Sequence, residues 1–350
     1  MHHITKELFA TAADGREVYL YTVDNGNGMS AEFINLGCII RKITVPDKNS
    51  NPTDVVLGRE TYDEYLNNSG YYGAAVGRVA NRIRDAHFEI DGTEYNVSAN
   101  RDGYCLHGGF ESFAQKIWTE CGIDDSNMSV SFELTSPDGD EGFPGDLHCV
   151  VTYTLTEDNA LKINYEAVSD KDTIVNFTNH SYFNLNGHNS GNILGHRLCI
   201  NADFYTPSDD SNIPTGEILK VEGTPFDFTS EKEVGRDIDS DYPTIAKIGT
   251  YDHNWVLRGR GLREVASLVG DKSGIRMKTF TDKPGMQIYV PNKLDGRVSK
   301  GGAVYADRGA ICLETQFFPN GAQLSHFPSP ILRCGDKYDY TTVYSFDVEK

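Results

Sequence analysis

The chain has 350 residues, and its 32 Lys+Arg against 51 Asp+Glu give a net charge of −19. A nucleic-acid binder needs a basic surface to neutralise phosphates, so this balance argues against that class of protein. Hydrophobic residues make up 39% of the chain, with 19 Tyr and 17 Phe, which is enough apolar material for a large core and argues against a disordered chain.

Apolar residues recur at every second position along much of the chain, which is the period of half-buried β-strands. The pattern predicts strands around Val18-Leu20-Thr22, Val130-Phe132-Leu134 and Val151-Tyr153-Leu155, one hairpin turning at Asp91-Gly92, and a second turning at Asp158-Asn159. Helical patterns are short and few, and residues 60–66 and 229–234 are the two candidates. The predicted class is therefore all-β.

Turn residues separate the many short strands, which favours a large antiparallel β-sandwich over a sheet built from βαβ units. No low-complexity linker, charge block or internal repeat divides the chain, so we predict a single domain over residues 1–350, with a two-domain division as the lesser alternative. The glycine cluster Gly259-Arg260-Gly261 lacks the third glycine and the following helix pattern of a phosphate loop, which argues against nucleotide binding.

The sequence has no run of about 18 apolar residues, and its opening residues lack the basic start and apolar block of a secretory signal. We therefore expect a cytoplasmic protein with no membrane partner. The seven cysteines are scattered and contain no Cys-X-X-Cys, which predicts reduced, mostly buried thiols. No two of the ten histidines have the i, i+4 spacing of a helical zinc site, so no metal is expected.

Several short polar segments between the predicted strands contain residues that could carry chemistry. Some have a purely structural alternative: His107 before two glycines could be a loop histidine, and Arg82 could form a surface ion pair. His180 lies among Asn, Thr, Ser and Tyr, a density of hydrogen-bonding groups that strands seldom carry. Glu314 ends an apolar run, and a buried carboxylate is costly unless it has a partner or a catalytic purpose.

The order and spacing of these segments are more specific than any one of them. They read GRVANRI (77–83), LHGG (106–109), SPDGDEGFPGDL (136–147), TNHSYFN (178–184), DHN (252–254) and LETQ (313–316). In this order the chain resembles the aldose 1-epimerases, also called galactose mutarotases, from about Leu20 to Val348. The resemblance implies the large antiparallel β-supersandwich of that family, whose concave face holds a sugar, in agreement with the predicted strands.

The resemblance also implies roles for individual residues. His180 matches the general acid of the family, Glu314 its general base, and His107 a second active-site histidine that contacts the sugar. Five further residues fall where the family grips sugar hydroxyls, namely Asn81, Arg82, Tyr182, Asp252 and Gln287. Two departures from the family pattern, at residues 317–321 and 332–335, bear on the loop shape near Glu314 and on sugar preference.

The implied reaction interconverts the α and β anomers of a free hexose such as galactose or glucose by opening and closing its ring. Glu314 takes the proton of the C1 hydroxyl while protonated His180 gives one to the ring oxygen, and after rotation about the C1–C2 bond the two transfers reverse. Each transfer of this kind typically accelerates a reaction by about 10² to 10⁴. No redox, hydrolytic or phosphate step occurs, so we expect no cofactor. The expected partner is a small-molecule sugar, bound to a monomer or homodimer.

Three alternatives stay open. Glu314 and Asp252 could be the carboxylate pair of a glycoside hydrolase, although the two histidines would then have no role. A non-catalytic sugar sensor could keep the pocket without turnover, since a fold does not determine a function. An epimerase of a sugar phosphate or of a rarer aldose is the nearest alternative, and a phosphate would require Arg78 and Arg82 both to face the pocket.

Overall fold

In a computed structural model that describes residues 3–67 and 70–349, the chain forms three large antiparallel sheets and four two-stranded ones. The first sheet is a five-stranded meander of His3–Thr11, Glu17–Asp24, Ser30–Ile34, Ile39–Pro46 and Pro52–Asp54. The second has nine strands, in spatial order Thr119–Asp124, Ser129–Ser136, Leu147–Leu155, Ala160–Ser169, Lys337–Val348, Ile275–Thr281, Arg263–Val269, Arg197–Ile200 and Lys232–Glu233. The third has five, in the order Leu219–Lys220, Ala202–Thr206, Asp252–Leu257, Gly285–Tyr289 and Cys312–Gln316.

Shorter elements connect these sheets. The two-stranded sheets pair Ala75–Val76 with Thr178–Asn179, Arg82–Ile83 with Cys105–Leu106, His87–Ile90 with Thr93–Asn96, and Thr173–Ile174 with Ile331–Leu332. The described residues contain two α-helices, Tyr62–Leu66 and Pro243–Ile248, and the 3₁₀ turns Arg84–Ala86, Phe113–Gln115, Asp140–Gly142, Val234–Arg236 and Lys300–Gly302. The all-β prediction is confirmed.

Both predicted hairpins are present. In the first, Phe88 lies opposite Tyr95, and the connecting Asp91 and Gly92 have φ angles of 50° and 82°, as a tight primed turn requires. In the second, Leu147–Leu155 pairs with Ala160–Ser169 around a turn in which Asn159 has a φ of 60°. Turn residues that tolerate positive φ therefore marked both reversals of the chain correctly.

One of the two predicted helices is confirmed and the other is wrong. Residues 60–66 contain the helix Tyr62–Leu66, which a capping box between Thr61 and Glu64 begins. Residues 229–234 instead contribute the edge strand Lys232–Glu233, which pairs with Arg197–Ile200, because pairing with a sheet overrides a weak local helical pattern. The sequence reading missed the helix Pro243–Ile248, which has Pro in its first turn and ends at Gly249 with a φ of 77°.

The nine-stranded sheet packs against both five-stranded sheets. Towards the first sheet, the rings of Phe33 and Tyr153 stack with their centroids 4.4 Å apart. Towards the third, the Tyr344 hydroxyl donates to the Leu313 carbonyl at 2.9 Å. Burial of such large side chains contributes about 1.5–3 kcal/mol each, so this shared core holds the three sheets together.

The predicted alternation of buried side chains is confirmed for two of the three strands that the sequence singled out. In Leu147–Leu155 every odd-numbered side chain is buried. In Ser129–Ser136, Val130 and Phe132 are buried and Leu134 is half-buried. In Glu17–Asp24 the pattern holds only for Val18 and Leu20, because further along the strand Tyr21 and Val23 pack into a different core cluster on the other face.

All seven cysteines are free, and four of them are buried. No helix within residues 3–67 and 70–349 is long and apolar enough to cross a membrane. The assignment of residues 1–350 to one domain stays a prediction.

Candidate active site

A pocket of about 200 Å³ collects most of the predicted site residues. It is lined by Gly70, Tyr71, Asn81, Arg82, Arg101, Leu106, His107, His180, Tyr182, Asp252, Tyr289 and Glu314. Pockets for drug-sized ligands usually have volumes of roughly 300–1,000 Å³, so this one suits a smaller molecule.

His180 directly follows the short strand Thr178–Asn179, which pairs with Ala75–Val76. Its backbone N–H donates to the Ala74 carbonyl at 2.9 Å, and its carbonyl accepts from the Gly73 N–H at 3.0 Å. These bonds fix the backbone on both sides of the residue, so the imidazole projects into the pocket from a rigid position.

Glu314 lies at the centre of Cys312–Gln316, the edge strand of the third sheet. Opposed residues in an antiparallel pair share a face, and in this register Glu314 lies opposite Gln287. The Oε1 atom of Glu314 lies 3.6 Å from Nε2 of His180. Within the described residues, Oε2 of Glu314 is buried and has no hydrogen-bond partner, which leaves an acceptor for a ligand hydroxyl.

His107 is held by Asn81. The backbone N–H of Asn81 donates to Nδ1 of the His107 ring at 3.1 Å, and the backbone N–H of His107 donates to the Asn81 carbonyl at 2.9 Å. The next residue, Gly108, packs closely against the backbone of Gly77, since it has a φ of 89° and a Cβ there would lie 2.2 Å from the Gly77 carbonyl oxygen. Because Nδ1 accepts a hydrogen bond, the neutral ring of His107 carries its proton on Nε2 and offers a donor.

Asp252 is the centre of a hydrogen-bonded group of polar side chains. Its Oδ1 accepts from Gln287 Nε2 at 2.7 Å, and its Oδ2 lies 3.5 Å from Nη2 of Arg82 and also accepts from Asn212 Nδ2. Nη1 of Arg82 donates to Asn81 Oδ1 at 3.2 Å. These bonds link the side chains into one fixed array beside the two histidines.

Burial dominates the protonation of the two central groups. It lowers the pKa of His180 to about 4, against the opposing effects of a hydrogen bond to the ring's own backbone carbonyl and of Asp252. It raises the pKa of Glu314 well above its ordinary value, and the charge of Asp252 acts in the same direction. Attraction across 3.6 Å favours an ion pair, but the desolvation of two buried charges outweighs it. A neutral carboxylic acid facing a neutral imidazole is therefore the favoured resting state.

His107 is also neutral. Burial lowers the pKa of its ring well below the ordinary range, and the neighbouring His180 and Arg82 add to that effect. Its ring centroid lies 5.4 Å from that of His180 and 4.7 Å from that of Tyr71.

The two histidines and Glu314 do not fit a metal ion, although their ligand atoms lie within 4.8 Å of one another. A coordinating imidazole nitrogen must be unprotonated, and the other ring nitrogen then donates its proton to an acceptor. Nδ1 of His107 faces the Asn81 N–H, which is a donor, so Nε2 has to keep the proton. The arrangement of His107 suits a hydrogen-bond acceptor as the partner of Nε2.

The structure distributes the other predicted residues unequally. Tyr182 lines the pocket, but its hydroxyl donates to the Gly70 carbonyl at 2.8 Å. Gln287 does not line the pocket and donates to Asp252, so its contact with a sugar stays a prediction. Arg78 lies outside the pocket, buried against backbone carbonyls of residues 136–145.

The sequence reading missed several residues of the site. Tyr71 has a φ of 55°, and its ring lies against His107 at an interplanar angle of 58°. Tyr289 lies opposite Asp252 in the third sheet. Asn212 belongs to a surface turn and reaches Asp252 from outside the sheet. Alternation from Gln287 could have indicated Tyr289, but no local signal marks Tyr71 or Asn212.

The two departures from the family pattern have different surroundings. In the first, the N–H of Phe317 donates to Asn176 Oδ1 at 2.9 Å, and the N–H of Asn320 donates to the Arg82 carbonyl at 2.9 Å. This loop therefore supports the backbone of Arg82. In the second, Arg333 forms surface ion pairs with Asp91 and Asp172.

Known proteins resemble the chain over nearly its whole length. The family described as aldose 1-epimerase matches residues 19–345. The human protein named galactose mutarotase is 40% identical over 350 residues, covering 99% of this chain and 100% of the human one, and the Escherichia coli K12 aldose 1-epimerase is 35% identical over 347 residues, covering 98% and 99%. The crystal structure of galactose 1-epimerase from Lactobacillus acidophilus superposes with a TM-score of 0.88 at 26% identity, and that of the aldose epimerase homologue from C. elegans with 0.86 at 30%, each covering 100% of both chains.

Proposed function

The chain belongs to the aldose 1-epimerase family and is an isomerase of that kind, and from this we propose that it interconverts the anomers of free neutral hexoses such as galactose and glucose through Glu314 and His180. One observation carries the assignment of the two residues. Their proton-exchanging atoms lie 3.6 Å apart at a pocket of about 200 Å³, and the second carboxyl oxygen has no hydrogen-bond partner among the described residues.

The burial of both groups explains how they would exchange protons with a sugar. A C1 hydroxyl that donates to Glu314 stabilises the carboxylate, and a ring oxygen that accepts from Nε2 stabilises protonated His180. The resting neutral pair and this ion pair hold the same number of protons, so a single proton shift interconverts them. When Glu314 then takes the C1 proton and His180 protonates the ring oxygen, both groups return to the neutral forms that burial favours.

Ring closure uses the same groups in the opposite direction. The open-chain aldehyde rotates about its C1–C2 bond and presents its other face. Glu314 then returns its proton to the carbonyl oxygen as His180 removes one from the C5 hydroxyl, which gives the other anomer. In this proposal the Nε2–H of His107 and the array of Asn81, Arg82 and Asp252 hold sugar oxygens in place while the protons move.

The surroundings of the site favour a neutral sugar over the alternatives. Arg82 lines the pocket beside Asp252 but Arg78 does not, so the two arginines expected to bind a sugar phosphate do not both face the pocket. A glycoside hydrolase would need Asp252 as its second carboxylate, but Gln287, Asn212 and Arg82 occupy both of its oxygens. A cytoplasmic location and a monomeric or dimeric state belong to the proposal as expectations.

Polarimetry on freshly dissolved α-galactose and α-glucose tests the proposal. We expect Glu314→Gln to lower the catalysed rate by about 10² to 10⁴. The exposed Glu222→Gln is the matched control and should behave as wild type. Equal rates for Glu314→Gln and wild type would remove Glu314 from the mechanism. Reducing sugar released from a disaccharide panel would support the hydrolase, and preference for galactose 6-phosphate would support the sugar-phosphate alternative.

A further inference from the structure

The two nitrogens of His180 have different partners. Nε2 faces Glu314, whereas Nδ1 lies 3.6 Å from Sγ of Cys312. Cys312 is fully buried and two residues before Glu314 on the same strand, so the pleat places both side chains on one face. The thiol and the carboxyl group therefore contact the imidazole at its two ring nitrogens.

The proposed reaction sets a condition on Nδ1. His180 gives and takes a proton at Nε2, so after each donation its remaining proton must be on Nδ1. A hydrogen-bond acceptor at Nδ1 stabilises that tautomer. A donor at Nδ1 would shift the proton to Nε2 and leave no lone pair towards the sugar.

Two groups can accept the Nδ1–H of His180. One is the backbone carbonyl of His180 itself, which also accepts from the Gly73 N–H at 3.0 Å. The other is the sulfur of Cys312. Burial raises the pKa of the Cys312 thiol well above its ordinary value, so the sulfur stays protonated and neutral.

The neutrality of this acceptor matters for a reversible reaction. A carboxylate at Nδ1 would stabilise protonated His180 by its charge, which would make proton donation from Nε2 harder. A neutral sulfur that accepts from Nδ1–H orients the ring with little effect on its charge state. Because one turnover needs both a donation and a recovery at Nε2, a partner of this kind suits the isomerisation.

We propose that Cys312 is a positioning residue whose sulfur accepts the Nδ1–H of His180 and so keeps Nε2 as the proton-exchanging atom. The inference rests on the proposed function, since it assigns a purpose to a contact of its acid. Cys312 itself transfers no proton and touches no substrate in this account.

The test reads the tautomer directly. Protein labelled with ¹⁵N-histidine is examined by NMR near pH 7, where His180 is neutral, and its ring signals are assigned with His180→Gln. We expect the Nδ1–H tautomer in wild type. Cys312→Ala should gain the Nε2–H tautomer and lose about 3- to 10-fold in kcat with little change in KM, the range expected for one hydrogen bond. Cys312→Ser, whose oxygen can still accept, should restore both the tautomer and the rate.

Cys149→Ala is the matched control, because it removes another buried thiol that does not line the pocket. It should leave the His180 signals and the kcat unchanged. An Nε2–H tautomer in wild type would overturn the proposal, as would a Cys312→Ala protein that loses rate without a change of tautomer. The wild-type reading needs no variant, so the proposal stays testable if Cys312→Ala fails to fold. Failure of the proposed function would instead appear as an active Glu314→Gln, whatever the tautomer.

Discussion

Nε2 of His180 and Oε1 of Glu314 lie 3.6 Å apart, and both side chains are almost completely buried. His180 directly follows a strand of a two-stranded sheet, and Glu314 lies in the edge strand of the third large sheet. Packing of these sheets on a common core therefore sets the distance between the two groups. It also removes both from water, which lowers the pKa of His180 and raises that of Glu314, so that the carboxyl group holds a proton while the imidazole is neutral.

The opposite pKa shifts of the two groups predict the pH dependence of the free enzyme. Below a pH of about 4 His180 gains a proton while Glu314 is still protonated, so the pair has no base. Above the raised pKa of Glu314 the carboxyl group loses its proton while His180 is neutral, so the pair has no acid. We expect kcat/KM to rise with pH through about 4, reach a plateau and fall again at the raised Glu314 pKa. Polarimetric rates corrected for uncatalysed mutarotation would measure this, and an acid limb near the ordinary histidine pKa of about 6.5 would contradict it.

His107 should act as a neutral donor rather than as a proton carrier. In His107→Gln the amide can still donate from about the position of Nε2, so we expect a loss of about 3- to 10-fold in kcat/KM, as for a weakened hydrogen bond. The two limbs of the pH profile should stay where they are in wild type. His107→Phe removes the donor and should lose more activity. A displaced acid limb in His107→Gln would show that His107 itself titrates during the reaction.

Asn212 should affect sugar binding through Asp252. Its amide donates to Asp252 Oδ2 from a surface turn. Without that bond Asp252 is held less firmly, so we expect Asn212→Ala to raise KM for galactose by about 3- to 10-fold with a small change in kcat. The adjacent exposed Ser211→Ala is the control and should match wild type in both constants. A large fall in kcat with unchanged KM would contradict a role confined to positioning.

Lys283 should make stability depend on pH. Its side chain is fully buried, donates to the Phe177 carbonyl and lies 4.3 Å from the Tyr165 ring centre. Burial lowers its pKa to about 7 from an ordinary 10.5. Between these values the unfolded chain binds more protons than the folded one, so the Lys283 contribution to the free energy of unfolding rises with pH from about 7 to 10.5. Each unit of pKa shift corresponds to about 1.4 kcal/mol.

Urea unfolding of wild type and Lys283→Met from pH 6 to 10 tests this linkage. The variant removes a buried charge, so its advantage in unfolding free energy should be largest below pH 7 and should shrink as the pH rises. Lys162→Met alters an exposed lysine and should show a constant difference from wild type. A difference for Lys283→Met that does not vary with pH would mean that the buried ammonium keeps its charge throughout.

The sequence by itself determined the strand class, both hairpins and the polar segments that meet in the pocket. Alternation reports burial on one face of a strand, and Asp-Gly or Asn tolerates the positive φ of a tight reversal, so both signals are local. The helix predicted from the local pattern at residues 229–234 is wrong, because a partner strand distant in sequence overrides the local preference there. Motifs also named His107, His180, Asp252 and Glu314 as candidates, although their catalytic roles stay predictions.

The tertiary structure alone decided how those residues act on one another. The tautomer of His107 depends on the backbone N–H of Asn81. Asn212 holds the Asp252 carboxylate in place, and Cys312 contacts Nδ1 of His180. Each of these contacts joins segments that no local period or turn relates. The direction of these hydrogen bonds and the loss of hydration are set only when the groups are buried together. Both effects then determine the protonation of His180 and Glu314.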